Sequence, residues 1–385
     1  LTPNQTNEVI SQLSSKQLTK WVSELDSMGI LGTGGLNKNE RSDLFNNLAS
    51  DLTVKQLARL HNAFDDKSIR IEMVAAVSNK IQASAVSSAL QQRISRVPNG
   101  SNRVILEAEK QQLNKLQNAK QMARLSADSY RSDIPSNLAS LPTGISRLDP
   151  NNLPLNLGIK KEDLMDENSG FYAAVYQTNK DNHTQYIVAF RGTEDGTDWK
   201  TNAKSAVMMT KQSKMASEVI KKITGGKNNV SVTGHSLGGG LSNYVAVKYD
   251  IPSTTFNAKG STIPELLDTG DILGFKAARL IQNYQVKGEI LTGLQEEVPL
   301  MFQAAGPKVK IPAIRPDGEE GNMLTETMAE VALSSVPFIG TELAKKHDIS
   351  GPIDRHGMDY VERGMTSALN IEKIKAIHHL LKSFE

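Results

Sequence analysis

Asn229-Val-Ser-Val-Thr-Gly-His-Ser-Leu-Gly-Gly-Gly240 decides how the rest of the chain is read. Val230, Val232 and Thr233 predict a short β-branched strand. Gly234-His235-Ser236-Leu237-Gly238 is a G-x-S-x-G turn, and Leu241 to Lys248 predicts the helix that follows. In a strand-turn-helix setting this motif is a nucleophile elbow, with Ser236 on a strained turn and its hydroxyl exposed. Gly234 and Gly238 are required because a Cβ at either would strike the neighbouring strand or helix. The helix start also turns free N–H groups toward developing negative charge. An inert glycine-rich turn would use the same residue types, so the rest of the chain has to supply chemical partners.

The flanking sequence supports a mixed sheet. Phe171 to Gln177 and Gln185 to Phe190 read as strands joined through Asn179-Lys-Asp-Asn182, and Ser213 to Thr224 reads as helix. Beyond the elbow, Ser253 to Asn257 and Gln282 to Val286 read as strands, with helix between them at Ile272 to Ile281. Alternation of this kind predicts a mainly parallel sheet with helices on both faces, the α/β-hydrolase arrangement. Ala304 to Pro316 reads as extended loop or edge strand, limited by its prolines. Helices are expected at Leu324 to Ser334, Met358 to Leu369 and Ile371 to Phe384. Upstream, Val9 to Arg131 reads as helix throughout, broken at Val97 to Ser101. The expected division is an all-helical accessory domain over residues 1–126 and a catalytic domain over 127–385, joined through the irregular stretch Ser132 to Gly170.

Composition narrows the function classes. The 385 residues carry a net charge of +2, which implies no polyanion partner, and no cysteine, which excludes disulfides and thiolate chemistry. Leu1 to Ile10 lacks the apolar core of a signal peptide, and no apolar run reaches membrane-spanning length. A membrane would be met from its surface. Acyl transfer by a serine needs no metal or cofactor; calcium stays open, since isolated Asp and Glu residues carry no ligand signature.

A serine alcohol is a poor nucleophile until a base takes its proton and a carboxylate orients that base. On this fold the chain order is Ser, acid, His. His61, His183 and His235 precede Ser236 or, as the x of the elbow, face away from it. Of the four that follow, His378 and His379 lie in an amphipathic terminal helix and His347 in a polar helix end. His356, loop-borne in Asp354-Arg-His-Gly-Met358, has the placement of a base, with His347 as its rival. Glu289 follows a strand end, where an open α/β sheet builds its site; Asp250, Asp268 and Asp271 are the rival acids. The oxyanion donors are expected from the backbone N–H of Leu237 and from Thr193, which ends the strand Val188-Ala-Phe-Arg-Gly-Thr193.

Phe190-Arg-Gly-Thr193, then Asp198-Trp199, then Gly234-His-Ser-Leu-Gly238 resemble the class 3 lipases. The similarity is closer to bacterial lipase-like proteins related to secreted phospholipases A1, including effectors without a Sec signal. It rests further on Thr255-Phe-Asn-Ala258, Asn283 to Glu289 and Arg355-His-Gly-Met358, and covers roughly Ala127 to the C-terminus. The resemblance implies Ser236 as nucleophile, Glu289 at the acid position, His356 as base, and Thr193 and Leu237 as oxyanion donors. Glu289 departs from it, since class 3 lipases usually carry Asp there. The implied function is a secreted serine lipid esterase, chiefly a phospholipase A of A1 type. Triacylglycerol lipase, short-chain esterase and acyltransferase are the alternatives within the class, and a delivered binding protein the alternative outside it. Its partners would be membrane lipid and, through the helical domain, a secretion apparatus or neutralising immunity protein, with no nucleic acid. The apolar segment Met323 to Gly340 reads first as a buried core helix and second as a mobile cover. Since Thr193 to Ser236 is short for the class, cover over the site would come from that segment or from the helical domain.

Overall fold

The computed structural model describes residues 12–13, 17, 20, 38–64, 67–131, 141–180, 183–192, 204–224, 229–289, 304–315, 317–318 and 356–384. Among these, contacts divide the chain into two compact units, Leu1–Asn118 with Ala368–Glu385, and Ala119–Ser367. The expected helix at Leu324 to Ser334, the expected cover from Met323 to Gly340, and His347 and Thr193 fall outside the described residues.

The first unit contains α1 (Lys38–Asp51), α2 (Val54–Ala63), α3 (Lys67–Lys80), α4 (Ala83–Ile94) and the start of α5 (Ser101–Asp128). Thr53 begins α2 with a full capping box, its side chain accepting from the Gln56 N–H while the Gln56 side chain accepts from the Thr53 N–H. Leu57, Leu60 and His61 then turn inward at helical spacing. The end of the chain clusters with these helices rather than with residues 127–367. His61 Nε2 lies 3.2 Å from His378 Nδ1, His379 Nδ1 lies 2.8 Å from Glu109 Oε1, and the Arg93 guanidinium sits 4.2 Å above the Phe384 ring. These polar anchors are invisible in the apolar periodicity that makes residues 127–385 read as one domain.

The second unit is built on a sheet ordered β1-β3-β4-β5-β6-β7-β8, with β2 pairing β3 off that path. The strands are β1 (Ile145–Arg147), β2 (Met165–Asp166), β3 (Phe171–Lys180), β4 (His183–Phe190), β5 (Val230–His235), β6 (Ser253–Phe256), β7 (Ile281–Val286) and β8 (Lys308–Ile311). β1, β3 and β4 pair antiparallel; from β4 to β8 every pairing is parallel. β1 and β2 lie inside the stretch expected to be irregular, each too short to show a two-residue period. α6 (Lys161–Leu164), α7 (Lys204–Thr224), α8 (Leu237–Tyr249), α9 (Ile263–Thr269), α10 (Phe275–Leu280) and the start of α11 (Met358–Lys382) connect and cover the strands. Met358 to Lys382 is one helix, not two, because Asn370 and its neighbours include no breaker.

Successive residues on each strand point to opposite faces, and both faces are covered. On one, Val175, Val188, Phe190, Val230 and Val232 pack against Ala216, Val219 and Ile220 of α7 and Leu241, Val245 and Ala246 of α8. On the other, the Thr233 hydroxyl lies 2.9 Å from that of Ser126, and Tyr176 donates to Asp128 Oδ2 at 2.8 Å. Asp128 also accepts from Arg147 at 3.1 Å, the two side chains being 0% and 1% exposed. Arg147 further donates to the Tyr172 hydroxyl at 2.6 Å and the Arg131 carbonyl at 3.0 Å. Breaking such a buried pair from one side costs about 3–5 kcal/mol. The pair therefore pins the end of α5 to the antiparallel edge of the sheet, and with it Tyr130, which reaches the elbow.

Candidate active site

β5 delivers the chain to Ser236 at the carboxyl ends of the parallel strands, where an open α/β sheet places its site. Ser236 has φ 56° and ψ −124°, a conformation that costs a non-glycine residue on the order of 1–3 kcal/mol. It stays there because its neighbours over-determine it. Its N–H donates to the Phe256 carbonyl at 3.1 Å, and its carbonyl accepts from Gly240 at 3.1 Å and from Lys259 at 2.9 Å. The two motif glycines behave as expected: a Cβ on Gly234 would run into the Gly238 backbone, and one on Gly238 into the Phe190 carbonyl. One expectation is corrected. Ser236 is only 3% exposed. Gly192 closes in from the end of β4, so that a Cβ there would stand 3.3 Å from the Ser236 Cβ.

His356 and Glu289 are brought together. His356 Nδ1 lies 2.7 Å from Glu289 Oε2, with Glu289 2% exposed as a residue. Glu289 follows β7 on a turn opened by Gly288 at φ 71°, and its N–H returns to the Val286 carbonyl at 3.3 Å. The rival acids are engaged elsewhere. Asp250 pairs with Arg279, Asp268 with Tyr244 and Lys248, and Asp271 accepts from the N–H groups of Lys276 and Ala277 at 3.1 and 2.8 Å. Among the other histidines, His61, His378 and His379 belong to the first unit, and His183 starts β4 in an exposed position.

Leu237 is the first residue of α8 and directly follows Ser236, so its N–H has no acceptor within the helix and lies at the positive end of the helix dipole. Thr193 lies just beyond Gly192, the last described residue after β4. Among the described residues no group of three or more His, Asp or Glu could hold a metal ion. No described helix is long and apolar enough to cross a membrane.

His235 is the residue that the sequence reading misplaces. Its ring does not face away from the chemistry. It lies 4.8 Å from the His356 ring, with Nε2 at 2.6 Å from the His356 carbonyl and Nδ1 at 2.8 Å from the Tyr130 hydroxyl. Alternation along β5 gives the face, but which residues wait on that face is a tertiary fact. Its pKa is pushed from 6.5 down to about 3, first by burial and then by the neighbouring His356, against the opposing effect of its bond to the His356 carbonyl. Unfolded chains protonate this imidazole near 6.5, so between about 6.5 and 3 the unfolded state holds a proton that the folded state refuses. Stability from this group is therefore complete above pH 6.5 and falls with pH, by at most about 1.4 kcal/mol per unit. Denaturant titrations between roughly pH 7.5 and 4.5 should show a shallower acid slope for His235→Gln than for the unsubstituted chain. Identical slopes would mean that His235 is not held neutral.

A mainly parallel sheet, helices on both faces and a serine on a strained strand-to-helix turn define an α/β-hydrolase-type protein. A family model described as phospholipase-like, Tle-like phospholipase domain, matches residues 121–342, more than half of the chain, and the chain belongs to that family. The match takes in Ser236 and Glu289 and ends before His356. The chain is also 32% identical over 176 residues to an extracellular phospholipase A1 of Serratia liquefaciens. That similarity covers 44% of this chain and 53% of the relative, so the chain spans about half of the relative's length.

Proposed function

We propose that the protein is a serine phospholipase that cleaves an acyl ester of glycerophospholipids, with A1-type selectivity, and acts as a secreted bacterial effector at a membrane surface. The observations that carry the chemistry are the 2.7 Å contact between His356 Nδ1 and the buried Glu289 carboxylate, and the strained turn that holds Ser236. The glycerophospholipid substrate is supported by membership of the phospholipase-like family and by similarity to the extracellular enzyme.

In this reading Glu289 holds the imidazole with its proton on Nδ1, so Nε2 is free of a proton and takes one from the Ser236 hydroxyl. Oγ attacks the ester carbonyl and the carbonyl oxygen becomes an oxyanion beside the Leu237 N–H, with Thr193 as the second donor. Collapse breaks the ester bond, and the His356 proton passes to the leaving lysophospholipid alcohol. Water then gives a proton to His356 as its oxygen attacks the acyl-enzyme; the acyl–Oγ bond breaks, His356 returns the proton to Oγ, and the fatty acid leaves. No step calls for a metal.

The test is a panel of phosphatidylcholine, phosphatidylglycerol, triacylglycerol and p-nitrophenyl esters, with released fatty acid and lysophospholipid resolved by position. Phospholipid should be turned over at least about tenfold faster than triacylglycerol, with the sn-1 chain released first. Turnover of triacylglycerol alone would replace the phospholipase reading with a lipase. Inactivity toward every ester, beside intact biological effect of the delivered protein, would leave the binding-protein reading.

A further inference from the structure

The carbonyl oxygen of His356, unlike its ring, has no part in the proposed chemistry, yet two buried side chains converge on it. His235 Nε2 lies 2.6 Å away and Asn257 Nδ2 3.0 Å away. Both residues are buried, Asn257 completely. A carbonyl has two lone pairs and only accepts, so both partners must donate. That requirement fixes the protonation of the whole group. His235 carries its proton on Nε2, and its bare Nδ1 accepts from the Tyr130 hydroxyl at 2.8 Å. The Asn257 amide is fixed in the same way, because its Oδ1 accepts from the Val286 N–H at 2.9 Å. Asn257 holds φ 44° after β6, and its own N–H donates to the Tyr284 carbonyl at 2.8 Å. It therefore ties the ends of β6 and β7 together before reaching His356.

We infer that His235 and Asn257 are positioning residues that fix the base by gripping its backbone carbonyl, with Tyr130 setting the tautomer of the His235 ring. The inference rests on the proposed role of His356 and adds a second anchor to it. Glu289 orients the ring through Nδ1, and the carbonyl grip fixes where the backbone stands. Without that grip the His356 backbone shifts, so the Nδ1 contact with Glu289 loosens and the ring pivots away from Ser236. The elbow therefore supplies more than its nucleophile. The residue before Ser236 holds the base, so that nucleophile and base are set by two adjacent positions at the end of β5.

The effect is tested by kinetics and by a signal that needs no turnover. His235→Leu removes the donor, whereas His235→Gln returns an amide N–H close to the former Nε2. On a dispersed short-chain p-nitrophenyl ester, His235→Leu should lose about a hundredfold in kcat with KM within about twofold, and His235→Gln should recover about tenfold of that loss. In a Ser236→Ala background, the downfield proton NMR signal of His356 Nδ1–H bonded to Glu289 should persist with His235→Gln and broaden or vanish with His235→Leu. Thermal melts accompany every variant. Should His235→Leu not fold, Asn257→Asp keeps the acceptor for Val286 and removes the donor to His356, and the same two readouts apply. Unchanged kcat with an unchanged signal overturns the inference, as does loss that follows melting temperature alone and is not rescued by His235→Gln. Full turnover by Ser236→Ala would instead remove the hydrolase reading, while the NMR signal would still decide whether His235 holds His356.

Discussion

Ser236→Ala should lower kcat on phospholipid by roughly 10⁶-fold while leaving binding of lipid vesicles intact, the loss measured when the nucleophile of a serine triad is removed. The size of that effect separates chemistry from structure. The alanine variant would keep the positive φ and therefore the strain, so stability should change little. Ser236→Gly should be equally inactive but melt higher. Glycine relieves a strain of about 1–3 kcal/mol at φ 56° and gives back about 0.4–1 kcal/mol through the freer unfolded chain, a net gain of about 1 kcal/mol. A variant that gains stability as it loses activity identifies strain maintained for function. A Ser236→Ala protein that hydrolyses phospholipid at the original rate would remove Ser236 from the mechanism.

What the sequence discloses and what it hides divide along one physical line. The elbow is legible because its demands are local: the strand before it, a helix after it, and glycine wherever a Cβ would meet backbone. Glu289 and His356 are legible at one remove, through chain order and the rule that strand ends build the site. The contacts that decide between Glu289 and its rivals are not local. Asp268 reads like a plausible acid until Lys248 and Tyr244 are seen to hold it, with its pKa lowered by those bonds. α9 escapes the sequence reading although its capping signal, Thr262 followed by Glu265, stands in the chain, because seven residues show too little periodicity. His235 and Asn257 are unreadable for a deeper reason. Their partner is a carbonyl about a hundred residues away, and every residue type has one. The division of the chain is hidden similarly, since the bonds that group residues 368–384 with the first unit are made by side chains on a helix whose apolar pattern continues across that boundary.

Glu289→Gln should lower kcat by about 10⁴-fold with little change in KM, the cost of offering an imidazole an amide where it needs a carboxylate. At 2.7 Å from Nδ1, a glutamine can present its NH2 and favour the wrong tautomer, placing the proton on Nε2 where the serine proton must go. A full loss of stability is not expected, because glutamine fills the same volume and removes a buried charge. Glu289→Asp is the sharper comparison. The family resemblance favours Asp at this position, but the turn at Gly288 and the 2.7 Å contact are matched to the longer arm, so Asp should fall short by about one methylene and lose on the order of 10²-fold. Asp271→Asn serves as the control. Its carboxylate caps the start of α10 through Lys276 and Ala277, so it should cost about 1 kcal/mol of stability and leave kcat within about twofold. The ranking in kcat is then Asp271→Asn, Glu289→Asp, Glu289→Gln, from least to most damaged. Its reversal, with Glu289→Gln active and Asp271→Asn inert, would take the acid role from Glu289 and leave its contact with His356 structural.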